Sequence, residues 1–269
     1  MITILGADGF IGSQLVRRID ELSVGYQSIG RTDAFPTGNL GHVIYCIGLT
    51  ADFRSRPLET VEAHVCHLLQ LLRAAEFESL LYLSSTRVYA ETNSTDERQA
   101  LLVRPESQND LYNISKIMGE SMLMSCGKRT RVARISNVYG GDFTSDNFLA
   151  EVMKQAVSGG RIVLQTAPNS AKDYINVADV VDGLLQIATK GRESIYNLAS
   201  GVNVSHGELA EKLRTLTDCE VEFAEGAETV KFPRINIDRM REEFDFAPSF
   251  LLDDLPTLLK LYEGNRSSR

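Results

Sequence analysis

Short runs of apolar residues alternate with longer amphipathic segments along most of this chain. The first run, residues 2–5, leads directly into a glycine-rich turn, after which apolar residues recur at helical spacing. This order of strand, turn and helix is repeated, and it predicts a parallel sheet covered by helices. The predicted strands are 2–5, 27–29, 42–46, 80–84, 131–135 and 194–198. The predicted helices are 12–22, 58–75, 112–126, 147–157, 177–189 and 205–216.

The pattern indicates an α/β fold of the Rossmann type, a doubly wound parallel sheet with a small C-terminal substrate-binding lobe. Residues 1–141 and 173–199 are assigned to the sheet domain. Residues 142–172 and 200–264 are assigned to the lobe, because the strand and helix rhythm gives way there to shorter mixed segments. The segment 32–41 leaves little room for a further helix and strand, so one element of the sheet domain is expected to be abbreviated.

Composition and charge exclude several classes of function. With 43% hydrophobic and 24% charged residues, the 269-residue chain has ordinary globular usage and can bury a large core. The net charge of −8 argues against nucleic acid as a partner, which requires a basic face. No apolar run reaches the roughly 18 residues of a membrane span, and Met1 leads into a strand rather than a signal peptide. We therefore expect a cytoplasmic protein without a membrane partner.

The four cysteines, Cys46, Cys66, Cys126 and Cys219, are far apart and form no CxxC pair. No pair of histidines accompanies them at metal-ligand spacing. We expect neither a metal site nor a disulfide.

The first turn carries Gly6, Gly9 and Gly12, with Phe10 and Ile11 between the last two glycines. Its position between a strand and a helix is typical of a site where backbone N–H groups and the helix N-terminus bind a pyrophosphate. The spacing GxxGxxG indicates the short-chain dehydrogenase variant of this motif. A tight turn that binds no ligand is the alternative.

Three further positions bear on a bound dinucleotide. Gly48 follows the third predicted strand, where a side chain would obstruct a ligand over the sheet edge, although a simple turn explains it equally well. Arg31 follows the second strand and suits the extra phosphate of NADP, so NADP is favoured over NAD. Asp33 would instead accept hydrogen bonds from the ribose of NAD, and Arg31 alternatively is a solvated loop residue.

Tyr112 and Lys116 lie four residues apart, so on a helix both project from one face. A nearby cation lowers the pKa of a phenol, which makes acid–base work at a carbinol or carbonyl feasible. Ser85 ends an apolar strand and could donate a hydrogen bond to the reacting oxygen. The alternatives are two ordinary surface residues on a helix and a serine that caps the strand.

Together these motifs resemble the extended short-chain dehydrogenase/reductase family, in particular its NAD-dependent epimerase/dehydratase branch. The resemblance covers almost the whole chain. The segments that carry it are GADGFIG, LYLSSTRVY, YNISK, RISNVYG, KDYINVADVV, YNLASG and FPRINIDRMREEF.

The resemblance implies a nucleotide-sugar substrate and a role for each motif. Tyr112 would be the acid/base, Lys116 would hold the nicotinamide ribose and lower the pKa of the tyrosine, and Ser85 would bind the reacting oxygen. The resemblance places Asn137, together with Thr86 beside the active-site hydroxyl, at the sugar. Arg234 would meet the diphosphate, or is an exposed surface arginine. A homodimer through the helices 58–75 and 112–126 is implied by the resemblance alone.

The resemblance also bears on the reaction. Sugar 4,6-dehydratases of the family carry Asp and Glu where this chain has Thr86 and Arg87, so dehydration is disfavoured. Epimerase-reductases of fucose-type sugars have a cysteine at the position of Arg87. A 4-epimerase or 4-ketoreductase acting at C4 needs only the Ser, Tyr and Lys residues, and NADP would favour net reduction. Departures from the family pattern are His64, His67 and Lys172, where Asn, Gly and Arg are usual.

Two other functions remain open at this point. One is a reductase of a non-sugar carbonyl, which would use the same three catalytic residues. The other is a non-catalytic NAD(P)-sensing protein, which would have no need of an acid/base.

Overall fold

The computed structural model describes residues 1–50 and 53–267, and its centre is a six-stranded parallel sheet. The strands of the protein are β1 Ile2–Leu5, β2 Tyr26–Ile29, β3 Gly38–Asn39, β4 His42–Tyr45, β5 Ala75–Glu76, β6 Ser79–Ser85, β7 Thr130–Ile135, β8 Asn137–Tyr139, β9 Arg161–Thr166, β10 Ala171–Asn176, β11 Ile195–Leu198, β12 Asn203–Ser205 and β13 Glu220–Glu228. The α-helices are α1 Phe10–Glu21, α2 Pro57–Val61, α3 His67–Ala74, α4 Asp110–Ser125, α5 Phe148–Ser158, α6 Val177–Lys190, α7 His206–Leu216, α8 Asp238–Phe244 and α9 Leu251–Ser267.

The strand order of the central sheet is β11-β7-β6-β4-β1-β2, and every neighbouring pair is parallel. The chain starts in β1 and winds outward in both directions, which confirms the predicted α/β fold. The carboxyl ends of β1, β4 and β6 therefore meet at one edge, where open α/β sheets bind their ligands.

The sheet stops at β2 because the segment after it is short. The only strand between β2 and β4 in the described chain is β3, and it pairs with β5 outside the central sheet. The abbreviated element predicted for residues 32–41 is therefore confirmed.

The six predicted strands all occur, with ends shifted by one residue at most. The predicted helix 58–75 is interrupted by a π-helical turn, Glu62–Cys66, between α2 and α3. Turns of this kind inside α-helices often occur at functional sites. The predicted helices 12–22 and 112–126 begin two residues earlier, at Phe10 and Asp110.

Apolar side chains bury both faces of the central sheet. On one face, Leu15 of α1 and Leu184 of α6 are fully buried against the strands. On the other face, Leu71 of α3 and Leu123 of α4 pack against the strands. Full burial of a leucine side chain contributes about 1.5–3 kcal/mol, so these contacts fix the helices that carry the site.

A separate hydrophobic cluster is formed by α5, α7 and α9 with the two small sheets, β12-β10-β8 and β13-β9. Its members come mainly from the two stretches assigned to the lobe. Met240 and Phe246, however, lie within 200–264 and pack against the core of the central sheet. The division into two domains stays a prediction.

Within the described residues, no helix is both long and apolar enough to cross a membrane.

Candidate active site

The turn between β1 and α1 keeps side chains away from the helix N-terminus. Gly6 has a φ of 82°, in the left-handed region, and its N–H donates to the Ile29 carbonyl at 2.8 Å. A Cβ atom at Gly12 would overlap the carbonyl oxygen of Gly6. Gly9 precedes α1, and no side chain caps the first N–H groups of that helix. This cradle fits a pyrophosphate, because free N–H groups and the positive helix end both favour an anion.

Phe10 and Ile11 were predicted to contact the cofactor. Their side chains are partly buried and pack against the core of the central sheet. Within the turn, these two residues can offer a ligand their backbone but little of their side chains.

The end of β2 brings together residues that the sequence alone does not connect. The Asp8 carboxylate accepts a hydrogen bond from the Arg31 N–H at 2.8 Å. The Asp33 carboxylate accepts one from the Gly30 N–H at 2.7 Å. A Cβ atom at Gly30 would overlap the Asp8 carboxylate where it now lies, so a larger residue there would displace this side chain. Asp8 is a functional candidate that the sequence reasoning missed, and the signal for it was its place in the glycine motif.

Ser85 and Tyr112 meet where β6 ends beside α4. The Ser85 hydroxyl is hydrogen-bonded to the Tyr112 phenol and also accepts a bond from the Arg87 N–H at 3.2 Å. Tyr112 is only 4% exposed, and burial raises the pKa of its phenol to about 12. The hydrogen bond from Ser85 and the positive charge of Arg87 both oppose that rise.

Lys116 lies one helical turn after Tyr112, on the same face of α4. Its Nζ donates to the Leu83 carbonyl at 2.8 Å and lies 5.9 Å from the centre of the Tyr112 ring. Burial lowers the pKa of Lys116 to about 7, against the opposing effects of Glu120 and Cys46. Burial makes the charged form of this amine energetically less favourable. The amine would therefore readily exchange a proton near neutral pH.

Gly48 lies directly over these groups. A Cβ atom there would be 3.5 Å from Nε2 of His64 and 3.6 Å from Nζ of Lys116, which is ordinary van der Waals contact. The protein itself therefore does not require glycine at this position. The space above Lys116 is kept open by the absence of a side chain.

His64 lies in the π-helical turn and connects that turn to α4 and to the loop after β4. The sequence analysis noted it only as a departure from the family pattern. Its Nδ1 is 2.8 Å from Oγ of Ser115, whose hydroxyl donates to the Tyr112 carbonyl. Its Nε2 accepts from the Leu49 N–H at 3.2 Å. Because the Ser115 hydrogen is used, Nδ1 must carry the imidazole proton. Burial and the charge of Lys116 lower the pKa of His64 to about 2, so the ring stays neutral.

Two of the predicted substrate residues, Asn137 and Arg234, lie on either side of the loop that contains Gly201. Asn137 donates to the Asp173 carbonyl at 2.8 Å, and Asp173 in turn accepts from the Gly201 N–H at 2.7 Å. Arg234 is exposed and donates from Nε to the Gly201 carbonyl at 2.6 Å. Thr86 is buried at the start of the short 3₁₀ helix Thr86–Tyr89. The structure therefore links Asn137 to Arg234 through a shared backbone loop.

A comparison of sequences identifies the family. The sequence model of the NAD dependent epimerase/dehydratase family matches residues 31–199. This chain belongs to that family. UDP-glucuronic acid decarboxylase 3 of Arabidopsis thaliana is 23% identical over 300 residues, which cover 96% of this chain and 87% of the relative.

Solved structures of other proteins share the fold. RMD from Pseudomonas aeruginosa, complexed with NADPH, is 21% identical with a TM-score of 0.78, over 98% of this chain and 100% of that one. MoeE5, solved with NAD and either UDP-glucose or UDP-glucuronic acid, is 19% identical with a TM-score of 0.80, over 100% of this chain and 99% of that one. The predicted fold and the resemblance to extended short-chain dehydrogenases are confirmed.

Proposed function

We propose that this protein is a nicotinamide-dependent enzyme that acts at a sugar carbon, C4, of a nucleotide-activated sugar, as a 4-ketoreductase or a 4-epimerase. The observation that carries the proposal is the contact of the Ser85 hydroxyl with the buried Tyr112 phenol, with Nζ of Lys116 beside the same ring. A phenol bonded to a hydroxyl, with an amine close to its ring, provides the groups that a proton transfer at a carbinol requires.

The residues around the glycine turn are suited to hold the dinucleotide. The uncapped N-terminus of α1 at Gly9 would bind the pyrophosphate, and Gly12 would keep the helix close to β1. The open space at Gly48 would admit the nicotinamide end next to Lys116. The bound dinucleotide would supply the hydride exchange.

In the proposed mechanism the protein's own part is to position the reacting oxygen and move its proton. Ser85 donates a hydrogen bond to that oxygen, and Oη of Tyr112 gives or takes the proton. Lys116 holds the ribose and stabilises the phenolate. Burial raises the pKa of the phenol, whereas the hydrogen bond from Ser85 and the positive charge of Arg87 lower it and so make Tyr112 a more usable base.

Elimination of water from the sugar is not proposed. It would require an added acid and base beside the ring, and the two residues after Ser85 are Thr86 and Arg87. Neither carries a carboxyl group. Epimerisation and reduction need no further acid or base, so both remain within the proposal.

A binding screen followed by turnover tests the proposal. Thermal unfolding would be measured with NAD, NADP and a panel of UDP-, dTDP-, GDP- and CDP-sugars, because a ligand that binds the folded state raises the unfolding temperature. We expect one dinucleotide and at least one nucleotide sugar to stabilise the protein and to react together. Stabilisation by a dinucleotide without turnover of any sugar would favour the sensing function, and turnover of simple ketones alone would favour the non-sugar reductase.

A further inference from the structure

Arg87 is a partly buried arginine whose guanidinium finds no hydrogen-bond acceptor among residues 1–50 and 53–267. Its guanidinium carbon lies 4.9 Å from the centre of the Phe53 ring and 5.8 Å from that of Tyr112. Other buried arginines of the chain are paired. Arg134 donates to both carboxylate oxygens of Glu120, and Arg131 donates to backbone carbonyls. Among the described residues, no carboxylate accepts a hydrogen bond from the guanidinium that Arg87 places beside the catalytic phenol.

A second guanidinium lies on the same aromatic ring. The Cζ atom of Arg54 is 4.5 Å from the centre of the Phe53 ring, and its Nε donates to Asn109 at 2.8 Å. Burial and the charge of Arg54 both lower the pKa of Arg87. The two like charges therefore oppose each other, and an anion between them would relieve the repulsion.

Among the described residues, Asp110 is the carboxylate whose charge favours the Arg87 cation. Its two oxygens accept hydrogen bonds from the Arg104 N–H and from Asn113 rather than from the guanidinium of Arg87. Two guanidinium groups thus lie on the one ring of Phe53, and one of them also lies near the ring of Tyr112.

The location separates this cluster from a diphosphate site. Arg87 is two residues from Ser85 in the chain and lies over the ring of Tyr112, where the reacting carbon must be. The residue proposed for the diphosphate, Arg234, is bound instead to the Gly201 loop. An anion beside Arg87 would consequently belong to the reacting sugar itself.

We propose that Arg87 and Arg54, aligned on Phe53, form a subsite for a carboxylate on the reacting sugar, so that the substrate is a nucleotide-activated uronic acid. This inference rests on the proposed function and names its substrate class. A guanidinium donates two parallel hydrogen bonds to a carboxylate, and stacking on an aromatic ring holds its plane in place. A neutral sugar would offer these two guanidinium groups no carboxylate to bind.

The test uses matched pairs of nucleotide sugars that differ only in the carboxylate. Binding to the cofactor-loaded protein would be measured by calorimetry for UDP-glucuronic acid against UDP-glucose, GDP-mannuronic acid against GDP-mannose, and dTDP-glucuronic acid against dTDP-glucose. For the base that the protein accepts, we expect the acid to bind at least about tenfold more tightly than the neutral sugar. Arg87→Met should reduce that ratio about tenfold or more, and Arg54→Met, at an exposed position, should reduce it in the same direction.

Controls separate the subsite from general effects. Arg98→Met removes an exposed arginine elsewhere and should leave the ratio unchanged. The nucleoside diphosphates alone should bind Arg87→Met as they bind the unmodified protein. If they lose as much affinity as the acids, the cations serve the diphosphate and the carboxylate subsite is wrong. Equal binding of acid and neutral sugar by the unmodified protein would overturn the subsite while leaving the proposed function intact, whereas binding of no nucleotide sugar would overturn both.

Discussion

Tyr112 is buried in an environment that opposes ionisation of its phenol. Its immediate neighbours favour ionisation. Burial raises the pKa of its phenol to about 12, while Ser85 and Arg87 act in the other direction. From the sequence, the spacing of Tyr112 and Lys116 predicted that the amine lowers the pKa of the phenol. That effect of Lys116 stays a prediction, whereas the guanidinium of Arg87 does lower the pKa of Tyr112, which the spacing of YNISK could not show.

Tyr112→Phe keeps the ring but removes the oxygen that exchanges the proton. Folding and dinucleotide binding should persist, while turnover of the sugar found by the screen falls by about 10²–10⁴, the usual contribution of general acid–base catalysis. Steady-state kinetics and the unfolding temperature of the two proteins check this. Full activity in the variant would remove Tyr112 from the mechanism.

The choice between NAD and NADP depends on opposed charges at the end of β2. Arg31→Asp should shift the ratio of dissociation constants toward NAD, because a charge-assisted contact to the extra phosphate, worth about 1.5–3 kcal/mol, is lost. Asp8→Asn should shift the ratio toward NADP, since a carboxylate near that phosphate is removed. Fluorescence titration with NADH and NADPH measures both. The preference for NADP stays a prediction, and two variants without any effect on the ratio would make Arg31 an ordinary loop residue.

His64 should make the protein less stable in acid. Its folded pKa of about 2 lies below the unfolded value near 6.5, so the stabilising neutral state is fully kept above pH 6.5 and lost as the pH falls below it. His64→Asn removes this proton uptake. Between pH 6 and 4, the unfolding free energy of the unmodified protein should fall by about 2 kcal/mol more than that of the variant. Urea unfolding at several pH values would show this difference, and parallel curves would contradict it.

At the scale of elements, the glycine turn combines two different requirements. Gly9 has a φ of −76°, which any residue can adopt, whereas Gly12 lies against the backbone of Gly6 and Ala7. One glycine is thus demanded by the proposed ligand and the other by the contact of α1 with β1. The sequence motif treats them alike.

Gly9→Val and Gly12→Ala should consequently have different effects. Gly9→Val should abolish dinucleotide binding, because its side chain would occupy the space of the pyrophosphate, and should lower stability by only about 1 kcal/mol as a poorer N-cap residue. Gly12→Ala should lower stability by about 1–3 kcal/mol, since α1 must move away from the turn. Thermal unfolding and cofactor titration distinguish the two results. Unchanged cofactor affinity in Gly9→Val would refute the assignment of this turn.

The π-helical turn is a feature that the prediction of one helix over residues 58–75 did not include. The apolar periodicity of residues 58–75 predicted one helix, and the helical segment does extend through α2 and α3. The inserted turn that brings His64 to Ser115 depends on a partner 51 residues away along the chain. No local pattern encodes such a contact.

For the whole molecule, the homodimer stays a prediction that the structure makes testable. The two helical segments implied in the interface, residues 57–74 and α4, pack against each other. They expose the apolar side chains of Leu58, Leu69 and Met118, which are 80%, 37% and 49% accessible. Exposed apolar side chains on helices that pack together would suit an association surface.

Sedimentation velocity should show a dimer for the unmodified protein. Met118→Glu and Leu69→Glu should convert it to a monomer, because a charge would be buried in the apolar contact. Leu261→Glu, a comparably exposed leucine on α9, is the matched control and should remain a dimer. A monomer before any substitution would show that these helices face solvent.

Local patterning determined the larger part of the fold. The six strands of the central sheet, the helices between them and the glycine turn follow from apolar periodicity and backbone requirements, which are properties of neighbouring residues. The short strands and the helices α8 and α9 were not predicted. Strands β8, β10 and β12, for example, have only three to six residues each and pair with distant segments. Too few residues repeat in them to give a period.

Only the tertiary structure decided which side chains meet. Ser85, Tyr112 and Lys116 could be proposed as a group because their motifs resemble a family. No motif of the sequence predicted three other contacts. These are the contacts of Asp8 with Gly30, of His64 with Ser115 and of Arg87 with Phe53. These contacts join residues 22 to 51 positions apart. The contacts of Asp8 and Arg87 form because the parallel sheet brings the carboxyl ends of β1, β2, β4 and β6 to one edge, and that of His64 forms because the π-helical turn packs against α4. The sequence therefore determined which chemical groups the site contains. The tertiary structure determined which charged groups lie next to one another, because the residues that carry them are distant along the chain.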